Sequence, residues 1–202
     1  MLHETASQTV GPFVHIGLVP VAAGLDIRHN EQWEVLAGAE ARGEHIRVEG
    51  IVLDGVGAPV RDCVVEAWQA NAAGKYHHSD DRQAAPVDPA FRGFGRAVAD
   101  FATGAWWFDT VKPGPAPGRD GTPMAPHIVL TLLARGINIH LVTRLYFADE
   151  VEANDADPVL RLIEQPIRRE TLLAQRSQRD GRIVYRLEIR LQGERETVFF
   201  DV

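Results

Sequence analysis

The histidines are the residues of this sequence best suited to bind a metal, but their spacing is poor for that purpose. No two of the eight histidines form an H-x-H or a HExxH pair. His77 and His78 are adjacent within YHHSDD, and adjacent side chains on an extended chain point in opposite directions. The single cysteine, Cys63, lies in an apolar segment, so the sequence gives no basis for a cysteine-rich zinc site. Spacing alone predicts a solvated loop at 76–81.

The segment PMAPHIVLTLLARGINIH, residues 123–140, joins a histidine and an arginine through a strand-like apolar run. Because one histidine cannot hold a metal, His127 is either a hydrogen-bonded core residue or the remnant of a metal site. Arg135, at the far end of the run, is by position alone a surface arginine. The sequence contains no GxSxG elbow and no GxxxxGK phosphate loop.

Length and charge restrict the class of protein. The chain has 202 residues and a net charge of −7, which gives no electrostatic reason to expect a nucleic-acid partner. One cysteine cannot form an internal disulfide. No apolar run approaches the length of a membrane span, and MLHETASQTVGPF lacks the pattern of a secretory signal. We therefore expect a cytoplasmic protein.

Short strands separated by turns dominate the pattern from residue 45 onward. In IVYRLEIRL the apolar residues alternate with Arg186, Glu188 and Arg190, which predicts a half-buried strand. Asp54-Gly55 is a turn signal. Further strands are predicted in the segments HIRVEGIVLD, PVRDCVVEAWQA, AWWFDTV, HIVLTLLA, HLVTRLYF and ETVFFDV.

Helical signals are few and short. EQWEVLAG (31–38) and RRETLLAQR (168–176) each predict a short helix, and DPVLRLIEQ has Asp157 as a plausible N-cap. The pattern therefore predicts an all-β fold, a β-sandwich with a few short helices. Residues 1–30 show little periodicity and are expected to form an extended N-terminal arm ahead of a single domain at 31–202. The arm is expected to pack on a partner subunit, and the alternative is a tethered or frayed terminus.

Several stretches together resemble the intradiol ring-cleavage dioxygenases over nearly the whole chain. They are SQTVGPFVHIGL, VEAWQANAAGKY, TVKPGPAPG, MAPHIVLTLLARGINIHLVTRLYF, RRETLLA and GERETVFFDV. Catalytic members of this family bind a non-haem Fe(III) through two tyrosines and two histidines. The two histidines stand two residues apart, so that both lie on one face of a strand.

The resemblance implies that only half of that ligand set is present. Tyr76 in GKY matches one tyrosine and His127 in APHIV matches one histidine. The second histidine position is Val129 and the second tyrosine position is Ala116, while Met124 stands about where the family has an arginine. Tyr76 and His127 are therefore expected to be vestigial, with no metal ligand and no catalytic residue on this chain.

The resemblance further implies a non-iron alpha subunit that pairs with an iron-bearing beta subunit. The expected reaction inserts both atoms of dioxygen into 3,4-dihydroxybenzoate and yields 3-carboxy-cis,cis-muconate in the β-ketoadipate route. Thr9, Gly11, Pro12 and Arg135 are expected to line the substrate pocket at the subunit interface. Arg135 would either pair with the substrate carboxylate or hold the polar network of the pocket.

Two alternatives follow from the same residues. An independent enzyme would need substitute ligands, for example His77, His78 or His140. A β-sandwich scaffold would have no enzymatic partner. Metal content separates the first alternative from the others, and a partner chain with an intact ligand set separates the subunit hypothesis from the second.

Overall fold

Ten strands form the body of the part of the protein that the structure describes. The computed structural model describes residues 6–25, 32–84, 86–118 and 120–201. The strands are β1 (His45–Leu53), β2 (Val64–Gln69), β3 (Phe94–Val98), β4 (Ala105–Val111), β5 (Ala116–Pro117), β6 (Pro123–Met124), β7 (His127–Leu133), β8 (Leu141–Phe147), β9 (Leu173–Arg179) and β10 (Arg182–Arg190). The predicted alternation of β10 is confirmed, because burial and exposure alternate along most of its length.

Eight of these strands form one continuous sheet that folds back on itself. Its order is β3-β2-β7-β8-β9-β10-β1-β4, and β5 pairs with β6 separately. β9 pairs with β8 only through Tyr146–Leu173 and Phe147–Ala174, so it acts as the hinge between two halves. The halves face each other as a sandwich whose core contains side chains of both. Those side chains include Val48, Trp106 and Tyr185 from one half and Val65, Leu130 and Leu145 from the other.

Short helices lie at the edges of this sandwich. They are α1 (Val14–Leu18), a 3-10 helix (Pro20–Ala23), α2 (Val151–Ala156), a second 3-10 helix (Leu160–Leu162), α3 (Pro166–Arg169) and a third 3-10 helix (Glu170–Leu172). In the described part of the chain, none of the helices has the length and apolar character needed to cross a membrane.

The structure departs from the predicted helix at 31–38. Residue 31 lies outside the described part, and the remainder is not helical. Val35 forms a backbone bridge with Asp109, and Ala37 forms one with Phe91. Pairing with neighbouring strands therefore satisfies the backbone groups of this segment, which outweighs its weak local preference for helix.

The N-terminal arm is only partly extended. Residues 1–5 and 26–31 lie outside the described part, and α1 with the 3-10 helix after it occupies most of 14–23. Val14 and Val19 are buried against Val64 of β2. Burial of these apolar side chains on the sheet stabilises helical turns too short to form alone.

Candidate functional site

Strand β7 has candidate functional residues at both ends. His127 is its first residue, and Arg135 lies in the turn that follows its last residue, Leu133. Eight residues of extended chain span about 26 Å at roughly 3.3 Å per residue. The two residues therefore belong to different sites, which we call the vestigial site (around Tyr76 and His127) and the Arg135 cleft.

The two loops that correspond to the family's tyrosine-bearing loops still pack together. Gly74, in the loop that carries Tyr76, has a φ of 80°, and a Cβ at this position would collide with the carbonyl oxygen of Pro115. Pro115 directly precedes Ala116, the other tyrosine position. Only glycine fits this close approach, so the two loops stay in contact although Ala116 stands at one of the expected tyrosine positions.

Tyr76 is held by aromatic stacking. Its ring lies parallel to that of Trp68, with 5.7 Å between centroids and 13° between planes. Burial raises the pKa of the Tyr76 phenol, although the nearby positive charge of Arg144 acts in the opposite direction. The phenol is therefore neutral at physiological pH, whereas Fe(III) prefers the phenolate oxygen.

His127 is a buried, neutral imidazole. Only 3% of the residue is exposed, and Nδ1 donates a hydrogen bond of 2.7 Å to the carbonyl oxygen of Ala125. Its ring centroid lies 5.6 Å from that of Tyr146. Burial, together with the positive charge of Arg144, lowers the pKa of His127 to about 4. His127 is therefore a hydrogen-bonded core residue, which is one of the two interpretations that the sequence allowed.

The Arg135 cleft lies at the other end of β7. A glycine turn at Gly136, with φ of 81°, follows Arg135. The Nε atom of Arg135 lies 2.9 Å from Oδ2 of Asp62, and the two side chains are 65% and 7% exposed. Both residues line an open cleft of about 670 Å³ together with Arg61, which forms no ion pair with any residue that the structure describes.

The N-terminal arm is attached to the loop that carries Arg135. Thr9 Oγ1 donates a hydrogen bond of 3.0 Å to the carbonyl oxygen of Ala134, and Thr9 forms an antiparallel backbone bridge with Asn138. Gly11 takes a φ of 78°, and Pro12 after it is exposed. Thr9 thus lies beside the Arg135 loop, but neither Thr9 nor Gly11 nor Pro12 lines the cleft of this chain.

Three polar residues of the vestigial site and one of the cleft were missed by sequence reasoning. They are Arg144, Tyr146, Asp157 (considered only as a helix cap) and Asp62. Arg144 and Tyr146 stand two residues apart in TRLYF, so strand periodicity could have placed both on the face that His127 shares. Nothing in the sequence links Asp62 to Arg135, because their contact is long-range.

The substitute ligands considered for an independent metal site do not converge. The Nδ1 atom of His77 donates to the carbonyl oxygen of Phe91 at 2.7 Å. His78 and His140 are exposed at separate positions on the surface. Among the described residues, no three His, Cys, Asp or Glu side chains are grouped as metal ligands would be.

This fold and the partial ligand set define a class of protein. The profile of a family described as Dioxygenase matches residues 26–193. The chain is 55% identical over 201 residues to the protocatechuate 3,4-dioxygenase alpha chain of Pseudomonas putida, covering 100% of this chain and 98% of that one. The chain therefore belongs to the intradiol dioxygenase family, as the resemblance predicted, and is related to a subunit of an oxidoreductase.

Further relatives include both kinds of subunit. The alpha chain of the same enzyme from Burkholderia cepacia is 43% identical over 203 residues, with 100% of this chain and 98% of that one covered. The beta chain from Burkholderia cepacia is 44% identical over 121 residues, which are 59% of this chain and 51% of the beta chain.

Solved structures establish the fold. Hydroxyquinol 1,2-dioxygenase from Pseudomonas putida DLL-E4 gives a TM-score of 0.61 at 19% identity, covering 94% of this chain and 63% of that one. 3-Chlorocatechol 1,2-dioxygenase from Rhodococcus opacus 1CP gives 0.59 at 21% identity, covering 77% and 63%. The predicted all-β class is confirmed.

The residues present do not fit the Fe(III) that the family implies. Ala116 and Val129 offer no donor atom at two of the four ligand positions. Nη1 of Arg144 lies 3.3 Å from the hydroxyl of Tyr146, so a fixed positive charge stands beside the retained histidine. A ferric ion requires anionic or neutral donors and is repelled by an adjacent cation.

Proposed function

We propose that this chain is the alpha, non-iron subunit of a protocatechuate 3,4-dioxygenase. The enzyme would cleave 3,4-dihydroxybenzoate with dioxygen between its hydroxyl-bearing carbons to give 3-carboxy-cis,cis-muconate. The observation that carries the proposal is the disabled ligand set on an intact family scaffold, in a chain 55% identical to an alpha chain of that enzyme. Because Ala116 and Val129 provide no donor atoms at two ligand positions, a structural role is the coherent one for this chain.

The proposed partner is a beta subunit that holds the ferric ion and all catalytic ligands. The beta chain of one relative is similar to this chain over 121 residues, which supports a pair of paralogous subunits with related folds. Two related sandwiches can form a pseudo-symmetric pair. In such a pair the catechol chemistry belongs to the partner, and this chain shapes the pocket and the assembly.

The Arg135 cleft is the proposed contribution of this chain to substrate binding. Asp62 engages the Nε edge of the guanidinium, which leaves the two Nη atoms without an ion-pair partner among the described residues. That outer edge presents two parallel donors, which match a carboxylate in a bidentate manner. We therefore favour pairing of Arg135 with the substrate carboxylate over a role confined to the pocket network.

The N-terminal arm, with Thr9, Gly11 and Pro12, is proposed to close this pocket from the interface. Val10, Phe13 and Ile16 on the arm are 40%, 72% and 39% exposed in the single chain. Apolar side chains grouped on the surface are typical of protein–protein contacts. The arm (1–30) and the domain (31–202) remain the proposed organisation, and a cytoplasmic location stays a prediction.

Co-expression with the neighbouring beta-like chain tests the proposal. The chain alone should contain no iron and consume no oxygen with protocatechuate, whereas the purified complex should do both. Stoichiometric iron and activity in the isolated chain would favour an independent enzyme. A complex that forms without activity toward any catechol, or no complex at all, would favour a scaffold and contradict the proposal.

A further inference from the structure

Arg144 lies on the face of the sheet that carries the vestigial site. It pairs across the strands with Val129, which replaces the second histidine, and Tyr146 pairs with His127. Directly paired residues of antiparallel strands share one face, and residues two apart on a strand do as well. The four side chains therefore project from one patch of β7 and β8.

A second contact of the Arg144 guanidinium lies next to the second tyrosine position. Nη1 lies 3.4 Å from Sδ of Met124, and Met124 pairs with Ala116, the second tyrosine position. The same Nη1 donates to the hydroxyl of Tyr146 at 3.3 Å. The side-chain charge also acts on both retained ligand positions, Tyr76 and His127.

Neutral groups surround this cation at close range. Arg144 is half-buried and forms no ion pair with a carboxylate among the residues that the structure describes. The negative charge of Asp157 compensates the charge of Arg144 indirectly. The Tyr146 hydroxyl accepts from Arg144 and donates to Oδ1 of Asp157 at 3.2 Å. Asp157 is fully buried and also accepts from the backbone N–H of Ala125 at 2.8 Å, two residues before His127.

We propose that the guanidinium of Arg144 substitutes for the metal ion in the vestigial site and keeps that site free of iron even when ligands are restored. The guanidinium donates to Sδ of Met124 and to the hydroxyl of Tyr146. It also repels any metal cation that would enter between Tyr76 and His127. The inference concerns this chain alone and does not depend on its substrate or its partner.

Restoring the ligands in the full chain tests the inference. The double variant Ala116→Tyr/Val129→His is compared with triple variants that add Arg144→Gln or Arg144→Met, each exposed to ferric citrate and desalted. Iron is measured by mass spectrometry, and tyrosinate coordination by visible charge-transfer absorption. We expect at least a tenfold higher iron content in the two neutral triple variants than in the double variant, with the absorption band in the triples only.

Two matched control variants show whether iron binding depends on the charge of Arg144, and not on its shape or on nonspecific uptake of iron. Adding Arg144→Lys to the double variant retains the charge and should leave the chain without iron. Adding Arg186→Gln removes an exposed arginine on β10 and should also leave it without iron. Circular dichroism and thermal unfolding identify folded variants. Equal iron in the double and neutral triple variants, whether high or absent, would overturn the inference, as would iron binding by the lysine variant.

Discussion

An arginine lies near each end of β7, and the two arginines have opposite surroundings. At the vestigial site, the half-buried Arg144 lies among neutral groups and its charge is linked to Asp157 only through Tyr146. In the Arg135 cleft, a largely exposed arginine is anchored directly by a nearly buried carboxylate beside an open volume of about 670 Å³. The first arrangement fills and closes a site, whereas the second holds a cation ready for an anion from outside.

This difference indicates that a scaffold can be kept where half of the family's ligand positions lack donor atoms. The glycine that allows the Tyr76 loop to approach Pro115 is still present, and the strand pairing around His127 is regular. The opposite end of the same strand can then serve a neighbouring subunit, because both ends are positioned by one rigid element.

The vestigial site should affect the free energy of unfolding, and titration of His127 should give the largest effect. Its pKa falls from an ordinary value of 6.5 to about 4, so the folded state resists protonation that the unfolded state accepts. The contribution of His127 is therefore fully present above pH 6.5, declines as the pH falls, and levels off below pH 4. The expected loss is about 3 kcal/mol of unfolding free energy.

Urea unfolding of the full chain from pH 8 to pH 4 would measure this loss against a His127→Gln variant. Comparison with the variant cancels the titration of groups elsewhere in the chain, and those facing His127 (Arg144, Tyr146 and Asp157) are present in both proteins. The difference between the two unfolding free energies should shrink toward acid. A difference that is independent of pH would mean that His127 is not held neutral by the fold.

The Arg135 cleft should act mainly on turnover. In the complex with the beta-like chain, Arg135→Ala should lower kcat/KM about 30-fold, equivalent to about 2 kcal/mol, because a charge-assisted hydrogen bond to the substrate is lost. Iron content should be unchanged, whereas the unfolding midpoint should fall because the nearly buried Asp62 carboxylate loses its ion-pair partner. Arg186→Ala, an exposed arginine on β10, is the control that should retain full activity. Wild-type kinetics in Arg135→Ala would remove this residue from the pocket.

The fold was more predictable than the contacts within its sites. Alternation in IVYRLEIRL predicted β10, whereas the assignment of Tyr76 and His127 to one former metal site stays a prediction. The helix predicted at 31–38 was wrong because cross-strand pairing, which a local pattern does not contain, determines that segment. Arg144 was overlooked because a cation replacing a metal follows no ligand motif. Asp62 was overlooked because its partner lies in a turn that is distant along the chain.

The smallest expected effect concerns Asp62 as a positioning residue for Arg135. Asp62→Asn retains the side-chain shape but removes the charge that anchors Nε at 2.9 Å, so the guanidinium should sample more orientations. We expect about a fivefold decrease in kcat/KM, carried mainly by a higher KM, which corresponds to about 1 kcal/mol.

A double-mutant cycle distinguishes positioning from a general structural effect of Asp62. If Asp62 acts through Arg135, then Asp62→Asn should change kcat/KM very little once Arg135 is already alanine, because there is no guanidinium left to orient. A structural defect would instead lower activity by the same factor in both backgrounds. Full additivity in the cycle would therefore refute the positioning role while leaving the effect of Arg135→Ala intact, so the direct contribution of the arginine and its anchoring are tested separately.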